Sequence, residues 1–299
     1  MVYTVTFNPA VDYVMHMGPL VAGETNRSTS EEIYWGGKGL NVSVVLNELG
    51  IASRALGFVA GFTGMALEAG MAELGVECDF VHLKKGFSRI NVKLKADEET
   101  EINGQGPSID EDEIAQLFDK LNSLTDGDVL ILAGSIPSTL PSDMYEKILA
   151  MLSDRKIKFV VDATRDLLLK VLPYKPFLIK PNKFELGEMF GVNIVTEEDT
   201  IKYATKLQQM GAVNVLISMA GDGALLLDEN GQIHSCGVCK GKVKNSVGAG
   251  DSMVAGFVAG SIDGDYEYAL KLGTASGGAT AFSDGLAKRE LIDELLAQL

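Results

Sequence analysis

The 299-residue chain has 41 acidic and 26 basic side chains, which gives it a formal net charge of −15 at pH 7. A protein this acidic is a poor general binder of nucleic acid or of anionic membranes, so any anionic ligand has to be held by local positive charge or by backbone amides. The three cysteines are too few for a disulfide framework and predict a reducing, cytoplasmic environment. No apolar run approaches the length of a membrane-spanning helix.

Segments with the pattern of strands alternate with segments that have helical spacing. The predicted strands are Val2–Phe7, Ser53–Ala60, Val129–Ala133, Phe159–Val161, Phe177–Ile179 and Val213–Ser218. The predicted helices between them include Leu40–Leu49, Met65–Leu74 and Leu140–Leu152. Val129–Ala133 is a short continuous apolar run, which is typical of a strand buried on both faces, and the three strands after it are expected to be buried as well. Strands that alternate with helices in this way predict an α/β fold with a mostly parallel sheet.

Two segments, residues 12–35 and 87–103, break this alternation because neither has a helical period. Within the second, residues 91–95 alternate strictly and lead through a polar turn to residues 101–103, which predicts an antiparallel hairpin with one face in solvent. We therefore predict a single domain spanning residues 1–299, in which the two segments form a small lid sheet. The apolar candidates for the covered face of this sheet are Tyr13, Ile33, Ile90, Val92 and Leu94.

The first chemical motif is the glycine-rich segment 36–42, which precedes a predicted helix. Free amide groups and the positive dipole end make a helix N-terminus attractive to anions, and glycine lets a ligand touch the backbone. The spacing fits neither the Walker A loop nor the dinucleotide-binding fingerprint. An anion-binding site and an ordinary glycine turn before a helix both remain open at this point.

The second motif, residues 245–252, places a Gly-Ala-Gly turn directly before Asp251 at the start of a small-residue helix. Asp251 is either a helix N-cap or a general base, and a cap needs neither flexible residues before it nor an apolar helix after it. Glycine-rich amides beside a carboxylate suit phosphoryl transfer. The amides stabilise charge on the moving group, and the carboxylate takes the proton of the attacking hydroxyl.

The third motif is a pair of polar residues, Asn182 and Glu185, just after the predicted strand Phe177–Ile179. Their spacing is typical of a capping box, in which each side chain accepts a hydrogen bond from the other residue's backbone. The same pair offers oxygen ligands to a Mg²⁺ ion, mostly through water. Both interpretations remain open from the sequence.

Together with residues 8–12, these three motifs occur in the order and spacing of one family. The chain resembles the ribokinase-type (PfkB) carbohydrate kinases over essentially its whole length, and four motifs in register make the resemblance specific. It implies a ribokinase-like three-layer α/β core with a mostly parallel sheet and a small β-sheet lid. Residues 3–13, 25–27 and 89–103 are most similar to the members that phosphorylate fructose 1-phosphate.

The resemblance also implies roles for individual residues. Asp251 is expected to be the catalytic base. The residues expected to form the anion hole are Gly248, Ala249 and Gly250. The residues expected to hold the sugar phosphate are Asp12, Arg27, Gly37, Lys38, Asn41, Arg89, Asn103 and Ser135. The residues expected along the ATP site are Lys183, Ser218, Gly221, Gly223, Gly248 and Gly250. The residues expected to organise Mg²⁺ through water are Asn182 and Glu185.

The reaction implied by the resemblance is ATP-dependent phosphorylation of fructose 1-phosphate to fructose 1,6-bisphosphate. Tagatose 6-phosphate is an alternative substrate, because both sugars present a phosphate at one end and a hydroxyl at the other. A non-catalytic sugar-phosphate sensor on the same fold is disfavoured by the intact Asp251 and glycine-rich turn. A nicotinamide-dependent oxidoreductase is disfavoured because the dinucleotide fingerprint is missing after the first strand. A homodimer joined through the lids is also expected, since a thin sheet has to cover its apolar face.

Overall fold

The computed structural model describes residues 1–299, with the exception of the side chain of Arg165. The strands, in chain order, are β1 (Val2–Thr6), β2 (Ala10–Met17), β3 (Ser28–Gly36), β4 (Ser53–Ala60), β5 (Glu77–Cys78), β6 (Val81–Leu83), β7 (Arg89–Lys95), β8 (Glu99–Asn103), β9 (Val129–Ala133), β10 (Lys158–Asp162), β11 (Leu178–Ile179), β12 (Asn214–Ser218), β13 (Ala224–Leu227) and β14 (Ile233–Cys236). The α-helices are α1 (Lys38–Glu48), α2 (Gly61–Glu73), α3 (Glu111–Leu121), α4 (Met144–Met151), α5 (Arg165–Val171), α6 (Lys183–Phe190), α7 (Glu197–Gln209), α8 (Ala249–Gly260), α9 (Tyr266–Ala281) and α10 (Arg289–Leu296).

The central sheet has the strand order β14-β13-β12-β11-β10-β9-β1-β4-β5, and β6 also pairs with β4. The pairings from β12 to β5 are parallel, whereas β12–β13 and β13–β14 are antiparallel. Leu130 and Leu132 of β9 pack into one core cluster, and Ile131 between them packs into the cluster on the opposite face. The sheet therefore lies between two helical layers, which confirms the predicted α/β class.

Helices α8 and α9 pack with their backbones unusually close, because both are rich in small residues. A Cβ atom on Gly256 would lie 2.6 Å from the carbonyl oxygen of Leu272, and one on Gly260 would lie 2.6 Å from the Cα of Ala269. Both gaps are too short for any side chain other than hydrogen. The glycines of α8 thus fix this helix against α9 and so determine where its first turn lies.

A second sheet of four strands has the order β3-β2-β7-β8, with β2 and β7 parallel and the other two pairs antiparallel. One row of apolar side chains crosses all four strands and consists of Ile33, Tyr13, Val92 and Ile102. Ile33 and Ile102, at the two ends of the row, are 54% and 60% exposed. The four strands lie largely within residues 12–35 and 87–103, the two segments that break the helix–strand alternation. Whether this sheet acts as a lid on a single domain stays a prediction.

Some helix boundaries differ from the predicted ones where glycine or proline decides the local conformation. Helix α1 begins at Lys38 rather than at Leu40, because Gly37 adopts a φ of 141° and takes the N-cap position. Helix α4 begins at Met144 rather than at Leu140, since the proline at position 141 disfavours helical backbone at the residue before it. Among the described residues, no helix is long and apolar enough to cross a membrane.

Candidate active site

A cleft of about 1040 Å³ opens between the second sheet and the central sheet. Strands β2, β3 and β7 form one wall, and the N-terminal turns of α1 and α8 form the floor. The predicted site residues that line this cleft are Asp12, Gly37, Lys38, Asn41, Arg89, Gly248, Gly250 and Asp251. The fold thus gathers residues from distant parts of the chain into one site.

Asp251 is the third residue of α8, while Gly248 takes the N-cap position and none of the described side chains caps this helix. The N-cap interpretation of Asp251 is therefore wrong. The Nδ2 of Asn41 donates a 2.8 Å hydrogen bond to Oδ2 of Asp251, and Lys38 Nζ lies 3.9 Å from Oδ1. Burial raises the pKa of the Asp251 carboxyl to about 6, against the opposing charge of Lys38. Such a carboxylate is ionised at pH 7 yet has the proton affinity that suits a general base.

The turn at the start of α8 depends on its glycines. Gly248 has a φ of 81°, in the left-handed region that favours glycine, and a Cβ on Gly250 would lie 3.2 Å from Lys180 Nζ. The amide of Ala249 donates a 3.2 Å hydrogen bond to the carbonyl of Ser246, so this N–H group is already engaged. The amides of Gly250 and Asp251, the second and third residues of the helix, have no acceptor within it and are available to an anion.

Two charged residues that the sequence analysis did not single out, Asp162 and Lys180, lie beneath the cleft floor. Oδ2 of Asp162 accepts a 3.0 Å hydrogen bond from Lys38 Nζ, and Oδ1 lies 3.3 Å from Lys180 Nζ. Burial raises the pKa of Asp162, but the two lysines outweigh burial and hold the pKa below its usual value. Burial lowers the pKa of Lys38, but Asp162 and Asp251 outweigh it and raise the pKa. These groups therefore form a network of opposite charges, in which Asp162, Lys180 and Asp251 are buried and the Lys38 side chain is 46% exposed.

The wall formed by β2 and β7 carries a second set of polar groups. Oδ1 of Asp12 accepts a 2.8 Å hydrogen bond from Asn91 Nδ2, and Oδ2 lies 3.2 Å from Lys93 Nζ. Asn91 is buried, and its Oδ1 has no partner among the described residues. Arg89 Nε donates a 3.0 Å hydrogen bond to the Asn8 carbonyl, and burial lowers the pKa of the guanidinium. An arginine remains charged in proteins, so Arg89 leaves further N–H donors for an anion in the cleft.

Three predicted sugar-phosphate residues do not line this cleft. Arg27 is exposed directly before β3, and Asn103 is exposed at the end of β8. Ser135 lines a separate cleft of about 400 Å³. The two clefts are close together at Gly134, the neighbour of Ser135, because a side-chain carbon of Lys38 lies 3.7 Å from the Cβ position of that glycine. The roles of these three residues stay predictions.

The predicted metal residues lie at the end of β11, where Asn182 forms an isolated bridge with Ser218 of β12. Oδ1 of Asn182 accepts a 2.8 Å hydrogen bond from the Glu185 amide, and Glu185 Oε2 accepts one of 2.8 Å from the Asn182 amide. The capping box is therefore present. It uses one oxygen of each side chain and leaves Glu185 Oε1 for another partner.

Four of the predicted nucleotide-site residues lie outside the main cleft, at or after the ends of β11 and β12, whereas Gly248 and Gly250 line it. Lys183 Nζ donates a 3.2 Å hydrogen bond to the carbonyl of Val195. Gly221 belongs to a short 3₁₀ turn, and Gly223 directly after it has a φ of 91°. Ser218, through its bridge to Asn182, joins this turn to the start of α6. Lys183 Nζ also lies 3.8 Å from a carboxylate oxygen of Asp222 in this turn, and the contact of these residues with ATP stays a prediction.

The comparisons with known proteins agree on the class of enzyme. A family model described as pfkB family carbohydrate kinase matches residues 5–291, so the chain belongs to the pfkB family of carbohydrate kinases. This membership confirms the prediction of a kinase with ATP as co-substrate. The structural likeness to phosphofructokinase-2 of Escherichia coli in complex with substrates and products confirms the ribokinase-like fold, with a TM-score of 0.92 at 26% identity over 100% of this chain and 99% of that one.

Two relatives within the family differ in their identity to this chain. The chain is 49% identical to 1-phosphofructokinase of Bacillus subtilis, over 100% of this chain and 98% of that protein. It is 37% identical to D-tagatose-1-phosphate kinase of Bacillus licheniformis, also over 100% of this chain and 98% of that protein. Both relatives are similar along their whole length, so the difference in identity is not an effect of coverage.

Proposed function

We propose that the chain transfers the γ-phosphoryl group of ATP to the free primary hydroxyl of fructose 1-phosphate and so forms fructose 1,6-bisphosphate. The observation that carries the proposal is one cleft shared by the buried Asp251 carboxylate and the Arg89 guanidinium. The carboxylate suits deprotonation of an alcohol, and the guanidinium suits bidentate binding of a phosphate. A sugar with a phosphate at one end and a hydroxyl at the other requires both.

In the proposed mechanism, Asp251 takes the proton of the sugar hydroxyl through Oδ1, while Asn41 holds Oδ2. The hydroxyl oxygen attacks the γ-phosphorus, and the bond to the oxygen that bridges the β- and γ-phosphates breaks, which leaves ADP. Free amides of the first turn of α8 stabilise the charge on the transferred group, since the positive end of the helix dipole faces it. The Nζ of Lys38, 3.9 Å from Asp251, adds positive charge at the same place.

The choice of fructose 1-phosphate over tagatose phosphates is supported by the higher identity to 1-phosphofructokinase than to D-tagatose-1-phosphate kinase. A coupled assay of ADP release tests it with fructose 1-phosphate, fructose 6-phosphate, tagatose 1-phosphate and tagatose 6-phosphate in parallel. We expect the highest kcat/KM for fructose 1-phosphate. A higher value for any of the other three sugars would contradict the proposed substrate.

Mg²⁺ is included in the proposal as the ion that accompanies ATP and neutralises part of the triphosphate charge. Among the described residues, no group of three or more His, Cys, Asp or Glu side chains is arranged to hold a metal ion. The residues nevertheless fit a water-mediated site, because Glu185 Oε1 is not used by the capping box and Glu185 lies close enough to raise the pKa of Lys38. Glu185 and Asn182 would then hold the hydration shell of the ion.

A homodimer joined through the second sheet is also part of the proposal. The apolar row that ends at Ile33 and Ile102 is exposed at both ends, and pairing with a second copy would cover it. Sedimentation at micromolar concentration tests this, with a dimer expected for the wild type and a monomer for Ile102→Asp. Ile262→Asp is the matched control, because Ile262 is also 60% exposed but lies between α8 and α9. A wild-type monomer would refute the dimer.

A further inference from the structure

The buried carboxylate of Asp162 has no part in the proton transfer described above. Asp162 is 4% exposed and does not line the cleft, yet each of its oxygens meets a different lysine. Lys38 Nζ lies 3.0 Å from Oδ2, and Lys180 Nζ lies 3.3 Å from Oδ1. Lys38 comes from the first residue of α1, whereas Lys180 comes from the residue after β11. One carboxylate thus links the start of α1 to the segment that follows β11.

The two lysines lead from Asp162 to two different parts of the site. Lys38 Nζ lies 3.9 Å from Oδ1 of Asp251. Lys180 Nζ lies 3.2 Å from the place that a Cβ on Gly250 would occupy, beside the first-turn amides of α8. An ammonium group has three donors, and the pairing with Asp162 occupies one on each lysine. Further donors on both sides therefore remain for an anion between them.

Stability alone does not account for this arrangement. A buried ion pair is often no more stabilising than apolar side chains of the same volume, so its retention needs another reason. Without the charge of Asp162, two ammonium groups would face the single carboxylate of Asp251. Both lysines would then be drawn towards Asp251, whose oxygen has to remain free to accept a proton.

We propose that Asp162 is a positioning residue that holds Lys38 and Lys180 on either side of the transferred phosphoryl group and keeps both away from Asp251. This inference rests on the proposed function, because it assumes phosphoryl transfer at Asp251. It adds two residues, Asp162 and Lys180, to those that the family motifs supplied. Lys180 contacts the phosphoryl group in this arrangement, and Asp162 acts only through the lysines.

The main test is Asp162→Asn, which removes the charge and keeps the shape. We expect kcat to fall about 10²-fold, with a smaller change in the KM of the sugar phosphate, because the lost interaction acts in the transition state. The acidic limb of the kcat/KM profile should also move to lower pH. The groups that face Asp251 are Lys38, Lys180, Asn41 and Asp162, and of these only Asp162 raises the pKa of Asp251.

A second variant keeps the inference testable if Asp162→Asn does not fold. Lys180→Met removes one ammonium and should also lower kcat about 10²-fold. In the double variant, the two losses should not multiply, because residues that act as one unit are not additive. The matched control is Asp228→Asn, since Asp228 is equally buried and paired with His234 but lies outside the cleft. This control should lower the melting temperature and leave kcat and the acidic limb unchanged.

Three results would overturn the inference. The first is a folded Asp162→Asn variant with kcat within threefold of the wild type and an unshifted acidic limb. The second is full multiplication of the two losses in the double variant, and the third is a Lys180→Met variant with kcat within threefold of the wild type. The comparison uses whichever sugar phosphate the wild type phosphorylates, so a wrong substrate assignment shows in the wild-type assay and leaves this test intact.

Discussion

The Nδ2 of Asn41 lies 2.8 Å from Oδ2 of Asp251 and joins the first turn of α1 to the first turn of α8. The two helices begin at opposite ends of the chain, yet both N-termini open into the same cleft. The hydrogen bond fixes which carboxylate oxygen of Asp251 is free to meet a substrate. The orientation of the base therefore depends on the packing of α1 against α8.

The first prediction concerns Asp251 itself. Asp251→Asn keeps the size of the side chain and still allows the hydrogen bond from Asn41, but it removes the proton acceptor. We expect kcat to fall by ~10²–10⁴-fold, since general base catalysis contributes that range, with sugar-phosphate binding largely retained. Steady-state kinetics and calorimetric titration measure the two effects. A kcat within a few-fold of the wild type would remove Asp251 as the base.

The second prediction is a pH dependence. Burial raises the pKa of Asp251 to about 6, so the free enzyme should lose its base as the pH falls through that value. We expect kcat/KM to be constant near pH 7.5 and to fall about tenfold per pH unit well below pH 6. An acidic limb centred below pH 5 would mean that the base is not the buried carboxylate seen here.

The third prediction concerns Arg89 in the phosphate site. Arg89→Ala removes charge-assisted hydrogen bonds worth roughly 1.5–3 kcal/mol, so KM for the sugar phosphate should rise about 10- to 100-fold while KM for ATP changes little. Arg54→Ala is the control, because Arg54 pairs with Glu77 away from the cleft. Equal effects of Arg89→Ala on both substrates would make its role structural.

Arg27→Ala should raise the same KM only if a partner subunit brings Arg27 to the site.

The fourth prediction separates the two uses of Glu185. Glu185→Gln keeps an oxygen for the capping box but weakens the attraction for a hydrated cation, so the Mg²⁺ concentration at half-maximal rate should rise several-fold. Glu113→Gln is the control, since Glu113 forms the capping box of α3 outside the cleft. If both variants titrate with Mg²⁺ like the wild type, Glu185 serves only as a cap.

The fifth prediction concerns the packing of α8 on α9. A Cβ on Gly256 would lie 2.6 Å from a backbone oxygen, so Gly256→Ala should lower the free energy of unfolding by about 1–3 kcal/mol. Gly18→Ala is the control, because no described atom beyond its own chain neighbours lies within 4 Å of its Cβ position. Denaturant unfolding compares the two variants. Equal stability of both would show that α8 and α9 can separate without cost.

The parts of the fold that were predictable from the sequence are those that depend on local pattern. The bounds of β4 and β9 match the predicted strands residue for residue. Val129–Ala133 is a continuous apolar run of strand length, which is typical of a strand buried on both faces of a sheet. The position of Asp251 inside the start of α8 followed from the glycines before it. The capping box at Asn182 was likewise readable from spacing alone.

The parts that were missed depend on which strands become neighbours. Asp162 and Lys180 each follow a short apolar run, but their meeting requires β10 to pair with β11, which periodicity does not encode. A charged residue at the carboxyl end of a buried parallel strand is a usable signal, since ligands of open α/β sheets bind at that edge. Arg27 shows a related limit, because its motif gave no information on whether its loop reaches the cleft of the same chain, and its role stays a prediction.

The parallel pairing of β2 with β7 places Ala10 beside Arg89, across about 80 residues of intervening chain. Closing a flexible loop of that length costs about 4 kcal/mol in chain entropy, so this pairing is unfavourable until the intervening strands and helices are already in place. The pairing of β1 with β9 spans a longer segment, from Val2 to Val129, but those two strands are almost entirely buried, whereas β2 and β7 are mostly half-buried. The second sheet has less burial to offset its closure, so it should be among the last parts of the molecule to fold and among the first to open. Backbone amides in β2 and β7 are expected to exchange with solvent deuterium well before those in β1 and β9, although all four strands belong to the same chain.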